Sequence, residues 1–252
     1  MKNYSLVIGW LYPTLMNVYG DRGNILALEK RCKSRNIEVQ IRLLDVGFDE
    51  KELSSCDIFL MGGAQDRQQQ IVNSDLLRKK ATFKKLIDSN IPGLYVCGGY
   101  QFLGKYYKDA DGKEIKGLGI FDLHTINPGE DSKRLIGNMA FKTNIDGRDY
   151  TIIGFENHGG RTYLGKNILP FGTTIRGNGN NGDDNTEGAR YKNSFGTYSH
   201  GPILPKNPDF ADYLIRLALE KKYSKKVKIK DLNNALEQRA RFSIANRIGI
   251  RI

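Results

Sequence analysis

The sequence predicts an α/β fold, a mostly parallel sheet flanked by helices, with β extensions in its second half. Two observations point there. Short apolar runs alternate with helically spaced segments through residues 4–97, and two of those runs end in glycine pairs. Beyond residue 117 the chain becomes rich in turns. Strand and helix in alternation is the pattern of a sheet wound on both faces, where binding chemistry gathers beyond the carboxyl ends of the strands.

The elements follow in order. Tyr4 to Trp10 is a short apolar run, and Ile25, Leu26, Leu28, Glu29 and Cys32 recur with helical spacing. Glu38 to Leu44 places Val39, Ile41 and Leu43 on one face, which is strand-like. Asp57 to Met61 is a second apolar run, a helix is predicted over about 74–89, and Gly93 to Cys97 is a third run. Gly117-Leu-Gly-Ile120, Asn144-Ile-Asp-Gly147 and Asn157-His-Gly-Gly160 then break the chain into short strands. Gly177 to Gly188, dominated by Gly, Asn and Asp, reads as a flexible surface loop. Ser194 to His200 is another strand and Asp209 to Tyr223 an amphipathic helix, with Leu232, Ala235, Leu236 and Arg239 helically spaced beyond it. A main domain over 1–223 and a basic, helical tail over 224–252 are expected.

At 252 residues, 39% hydrophobic and 27% charged, the chain can bury a substantial core, which excludes global disorder. No apolar stretch approaches the ~20 residues that span a bilayer, and Met1-Lys2-Asn3-Tyr4 leads straight into a strand without a cleavage site. Three isolated cysteines, with no CxxC pair, argue for a reducing compartment and against a disulfide framework. A cytoplasmic protein is expected. The net charge of +11 is concentrated in residues 221–252, where ten Lys or Arg face two acids for a net of +8. Only Tyr223 and Phe242 supply aromatics there, so the tail is a poor match for a nucleic-acid reader.

Cys97 is the strongest catalytic candidate. It ends an apolar strand, Gly98-Gly99 follow, and a helix signal begins at Tyr100 or Gln101. Such a sharp strand-to-helix turn exposes its central side chain above the sheet. A helix N-terminus behind a cysteine favours the thiolate, and the Gly98 N–H points where an oxyanion forms. The competing reading is a small core residue, which is the reading for Cys32 and Cys56. A nucleophilic thiol needs a base. His200, at a strand end, ranks above His158, in a glycine-rich turn, and His124 reads as structural. Gly62-Gly63 offers either a second oxyanion N–H or only a tight turn. Asp21-Arg22-Gly23-Asn24 reads as a cap for the first helix, with lining the site as the lesser alternative. No phosphate loop, HExxH or EF-hand pattern occurs, so no metal is required.

These residues resemble a known family. Cys97-Gly-Gly-Tyr-Gln-Phe-Leu-Gly104, Gly154-Phe-Glu-Asn-His-Gly-Gly-Arg161 and Tyr198-Ser-His-Gly-Pro-Ile-Leu-Pro205 resemble the cobyric-acid-type branch of class I (triad) glutamine amidotransferases. With Tyr19-Gly-Asp-Arg-Gly-Asn24 and Gly62-Gly-Ala-Gln-Asp66 added, the likeness is nearest to glutaminase subunits of lipid II isoglutaminyl synthases. The resemblance implies a flavodoxin-like domain that hydrolyses glutamine and passes ammonia on. It places the nucleophile on Cys97, the catalytic histidine on His200, the oxyanion N–H groups on Gly63 and Gly98, and substrate binding on Arg134 and Gln101. Gln101 reads otherwise as an early helix residue, and Arg134 as a solvated charge. The implied partner is a Mur-ligase-like synthetase subunit, forming a heterodimer at the inner membrane face. That subunit would hold ATP and Mg and amidate the D-glutamate α-carboxyl of lipid II.

Two departures stand out. Tyr95 occupies a position usually held by glycine, and Pro202 the position usually held by the third triad acid. A Cys97–His200 dyad is therefore expected in the free chain, with the partner contributing an acid and Glu156 as the in-chain rival. Rival functions are a glutaminase for another carboxylate, such as a corrinoid side chain, and a non-catalytic module docking through its basic tail. The corrinoid enzymes would normally carry a fused synthetase half, which is not seen here.

Overall fold

The computed structural model describes residues 4–64, 66–129 and 131–252. Met1 to Asn3, Gln65 and Glu130 lie outside the described residues, as do the side chains of Tyr19, Asp66 and Arg67.

The first half alternates as expected: β1 (Ser5–Leu11), α1 (Arg22–Lys33), β2 (Glu38–Leu44), α2 (Glu50–Ser54), β3 (Ile58–Met61), α3 (Asp66–Arg78), α4 (Lys80–Asp88), β4 (Gly93–Val96) and α5 (Gly98–Leu103). The second half adds β5 (Tyr106–Lys108), β6 (Glu114–Lys116), β7 (Leu123–Ile126), β8 (Leu135–Ile145), β9 (Arg148–His158), β10 (Arg161–Leu164), β11 (Gly172–Arg176), β12 (Thr186–Glu187), β13 (Ala189–Tyr191) and β14 (Ser194–Thr197). It closes with α6 (Ile203–Lys206), α7 (Pro208–Tyr223) and α8 (Ala235–Ile248). Among the described residues no helix is long and apolar enough to cross a membrane.

The central sheet runs β13-β14-β4-β3-β1-β2, parallel except for the β13–β14 hairpin. Its inner strands β3, β4 and β14 are buried on both faces. Leu6, Ile8, Leu60, Leu94 and Val96 pack with Ile25, Leu28, Phe210 and Leu214 on the α1/α7 side. Leu11, Phe59, Met61 and Tyr95 pack with Leu53, Phe83 and Ile87 on the α2/α4 side. That is why these strands read as unbroken apolar runs rather than alternating ones. β2 is an edge strand, and Leu43 is exposed there. The β extensions form two further four-stranded sheets, β10-β7-β5-β6 and β12-β11-β8-β9.

Two expectations are corrected, and the expected basic tail is given a position. The helix foreseen over 74–89 is two helices broken at Lys79, whose ammonium is drawn 2.7 Å from the buried Asp75 carboxylate. The segment 177–188 is not a loose loop. Asn180 and Asn181 are buried, and their amides bind Thr186, Gly188 O, Thr162 O and Asp184. The basic tail packs on the body. Arg241 of α8 is buried, donating to Asn207 Oδ1 at 2.6 Å, Tyr150 OH at 2.9 Å and Thr151 O at 2.8 Å.

Candidate active site

Four neighbouring parallel strands deliver four loops to one edge of the sheet. Asp21 follows β1, Gly63 follows β3, Cys97 follows β4 and His200 follows β14. This is the carboxyl edge at which open α/β sheets place their ligands.

Cys97 occupies the turn from β4 to α5 with φ 52° and ψ −107°, a left-handed backbone that a side chain rarely adopts. The strain is held by its own N–H, donated to Thr197 O at 2.8 Å, and by its carbonyl, which accepts the Gln101 N–H at 2.9 Å. Tyr95 fits because it points back along the strand. A Cβ on Gly93 would lie 2.3 Å from its hydroxyl, so the missing side chain at 93 makes room for the phenol. The ring then packs edge-on against Phe83 and Phe121.

His200 is fully buried and pinned by its backbone to Phe155 of β9, donating at 2.7 Å and accepting at 3.3 Å. Its Nδ1 lies 3.4 Å from Asp21 Oδ1, and its ring interacts with the Cys97 sulfur. Burial pulls the imidazole pKa down, but the neighbouring Cys97 sulfur and Asp21 carboxylate more than offset this and push it up to about 10. A Cβ on Gly63 would lie 3.2 Å from both Cys97 Cβ and His200 Cε1, so only glycine lets the two approach.

Asp21 was expected to cap α1. It stands at the N-cap position but makes no cap bond there. Its carboxylate instead turns inward to His200 and, through Oδ2, accepts the Gly63 N–H at 2.9 Å. Two expectations change as a result. An acid stands beside the histidine within this chain, and Gly63 has its N–H committed to Asp21 rather than turned to an oxyanion. The neighbouring Ala64 N is the one that faces α5, 3.1 Å from where a Gly98 Cβ would sit. Glu156 is elsewhere: its carboxylate accepts Asn178 N, Asn178 Nδ2 and Gly179 N at 2.6–3.0 Å.

A cavity of about 460 Å³ opens beside Cys97, and Gln101 and Arg134 line it as well. The Arg134 guanidinium is oriented by Asn157, donating from Nε and Nη2 to Oδ1 at 3.1 and 3.0 Å. Among the described residues it has no carboxylate partner. Gln101 is buried, with Nε2 donated to Tyr198 OH at 3.1 Å and Oε1 facing Gln69 Nε2 at 3.5 Å. Sequence reasoning passed over Gln69 and Asn157, since isolated amides carry no spacing signal. His158 also borders the cavity, but it stacks on Tyr198 at 3.6 Å, with Nδ1 on Gly160 O at 2.8 Å, and burial lowers its pKa. His124 is sandwiched between Tyr106 and Tyr163, a structural placement. Cys32 and Cys56 are core residues whose thiols burial pushes up to about 12. Among the described residues no three His, Cys, Asp or Glu side chains gather into a metal site.

Residues 7–208 match the CobB/CobQ-like glutamine amidotransferase domain. The chain belongs to that glutamine amidotransferase family. Among curated relatives, this amidotransferase is 44% identical over 223 residues to the GatD subunit of lipid II isoglutaminyl synthase (glutamine-hydrolyzing) from Staphylococcus aureus, covering 87% of this chain and 86% of that one. It is 40% identical over 235 residues to the GatD subunit from Streptococcus pneumoniae, covering 93% and 88%. A probable cobyric acid synthase from Methanococcus maripaludis is 33% identical over 190 residues, where the match spans 71% of this amidotransferase and 37% of the archaeal chain. Among solved structures, the Thermotoga maritima PurLQS complex aligns with a TM-score of 0.58 at 15% identity, covering 89% of this chain and all of that one. The fold is therefore that of the class I glutamine amidotransferases, as the resemblance implied.

Proposed function

We propose that this chain hydrolyses glutamine through Cys97, His200 and Asp21, and delivers the ammonia to a Mur-ligase-like synthetase subunit that amidates the D-glutamate α-carboxyl of lipid II. The observation that carries the chemistry is the strained elbow of Cys97 beside a buried His200 whose Nδ1 faces Asp21. The synthetase and its acceptor rest on the two GatD relatives, of which the match covers 86% and 88%.

Glutamine enters the cavity with its α-carboxylate on Arg134, whose planar guanidinium suits that acceptor, and its carboxamide at Cys97. The sulfur attacks the carboxamide carbon. The oxyanion is met by the N–H groups of Gly98 and Ala64. His200, protonated beside the thiolate, gives its proton to the departing nitrogen and ammonia leaves. Acylation removes the anion that held the His200 pKa up, so the imidazole can then take a proton from water. That water opens the thioester, releases glutamate and restores the thiolate. Asp21 holds Nδ1–H throughout, fixing tautomer and ring orientation. On this reading ATP and Mg belong to the synthetase subunit, and the complex works at the cytoplasmic face of the membrane that carries lipid II.

The test is glutamate release from glutamine by the purified chain, alone and with the synthetase subunit, for wild type and Cys97→Ala. Release that requires Cys97 and rises with the synthetase subunit supports the reading. No release under either condition, with the synthetase active on free ammonia, would reduce this chain to a scaffold.

A further inference from the structure

The structure leaves a second concavity of about 440 Å³ between α1, α6 and α8, sharing no lining residue with the cavity beside Cys97. Its walls are apolar: Leu26 of α1 is 48% exposed and Leu236 of α8 is 74% exposed, with Leu204 between them. Leucines exposed together around a hollow are unlike the scattered apolar residues of an ordinary surface.

The charges at this groove are unbalanced. Arg31 at its edge is neutralised by Asp212 at 2.6 Å and faces Glu237 at 3.8 Å. Lys30 and Lys206 also line the groove, and among the described residues neither has a carboxylate partner. The Lys206 ammonium donates only to the Gly201 carbonyl, and burial alone lowers its pKa to about 8. A desolvated ammonium without a counter-charge is costly, and an incoming carboxylate relieves that cost. The surrounding tail, with ten basic residues against two acids over 221–252, repels a second copy of this chain and attracts an acidic surface.

The groove also adjoins the catalytic machinery. α1 begins at the residue after Asp21, and α6 begins three residues after His200. The two meet where Gly23 packs on Pro202: a Cβ at 23 would lie 2.3 Å from the proline ring.

We propose that this groove seats an acidic, amphipathic segment of the synthetase subunit. Its apolar side chains would lie against Leu26 and Leu236 and its carboxylates on Lys30 and Lys206. The assignment rests on the reading of the chain as a glutaminase subunit and adds the face by which the synthetase holds it. Docking there bears on the two helices that follow Asp21 and His200 in the chain.

The experiment measures the affinity of the purified synthetase subunit for the full chain by calorimetry, in wild type, Leu236→Glu, Lys30→Glu and the distant control Leu169→Glu, another leucine that is 71% exposed. Glutaminase activity of each variant alone reports folding. The expected result is affinity at least about tenfold weaker for Leu236→Glu and Lys30→Glu, with Leu169→Glu and the isolated glutaminase rates unchanged. Unchanged affinity in both groove variants, with wild-type glutaminase intact, would overturn the docking surface and leave the proposed function standing. Wild-type self-association that Leu236→Glu abolishes would assign the groove to a second copy and overturn the proposal. Absent glutaminase in the wild type with groove-dependent binding retained would instead overturn the catalytic reading alone.

Discussion

Asp21 and His200 come from opposite ends of the chain and meet with Oδ1 3.4 Å from Nδ1, while the other Asp21 oxygen accepts the Gly63 N–H at 2.9 Å. One carboxylate thus ties together the loops after β1, β3 and β14. The tie sets the histidine tautomer: with Nδ1–H directed at Asp21, Nε2 is the nitrogen left to exchange protons with substrate.

Asp21→Asn should lower kcat for glutamine hydrolysis by about 10²–10⁴-fold, the range associated with a histidine orienter or general base, with KM changed far less. Asparagine can still accept the Gly63 N–H, so the loop should hold. Glutamate release against glutamine concentration checks this, with His200→Ala as the reference. A kcat within threefold of wild type would mean the orienting acid comes from elsewhere.

The strand ends were legible in the sequence because a strand buried on both faces must be apolar throughout and must end in residues that tolerate tight turns. Cys97 and His200 both stand just beyond such strand ends. For Asp21 the lesser of its two readings, lining the site, agrees with its position beside His200, and it makes no side-chain cap bond. An aspartate before a helix reads locally as a cap, and only the order β14-β4-β3-β1 brings it opposite His200. The Asn- and Gly-rich segment at 177–188 misled for a related reason. Its polar groups are satisfied by one another and by Glu156, which composition alone does not reveal.

Glu156→Gln should leave the glutaminase rate per folded molecule close to wild type, since its carboxylate serves the turn at Asn178–Gly179 rather than His200. Charge-assisted hydrogen bonds weaken on loss of the charge, so the cost falls on stability, about 1–3 kcal/mol. Denaturant unfolding beside activity separates the two. A hundredfold loss of kcat in a fully folded variant would return Glu156 to the catalytic group.

Arg134→Ala should raise KM for glutamine about 10–100-fold with kcat nearly held. A hydrogen bond to a charged partner contributes about 1.5–3 kcal/mol, and this one is made equally in ground and transition states. Arg134→Lys should recover only part of the loss, because an ammonium cannot reproduce the fork that Asn157 orients. Equal KM values for wild type and the alanine variant would remove Arg134 from the substrate site.

Stability should fall as pH rises. Burial, helped by the charge of Glu156, raises the Glu187 pKa from 4.5 to about 7, although Thr197 Oγ1 and Tyr198 N donate to it. Ionising it opposes folding, so its contribution is complete below pH 4.5 and lost as pH climbs through 7. His200, raised from 6.5 to about 10, adds stability that is full below pH 6.5 and lost through 10. Unfolding curves from pH 5 to 9 should show both losses. Glu187→Gln should remove the lower one, on the order of 1–3 kcal/mol. A variant with the wild-type slope between pH 5 and 7 would show that Glu187 is already ionised in the folded protein.

Among the described residues Arg241 binds the tail to the body through neutral acceptors: Asn207 Oδ1, Lys206 O, Tyr150 OH and Thr151 O. Asn207 in turn donates to Ile153 O and Ile203 O, so the fastening reaches β9 and the start of α6. Removing the guanidinium strands several buried acceptors at once, each costing about 1–3 kcal/mol when unsatisfied. Arg241→Ala should therefore destabilise the protein by several kcal/mol, and deletion of 225–252 should do at least as much by exposing Leu204 and Ile203 as well. Arg239→Ala, two residues earlier but on the exposed face of α8, should be neutral within about 0.5 kcal/mol. Thermal unfolding of the three variants decides it: a neutral Arg241→Ala would mean the tail rests on the body without holding it.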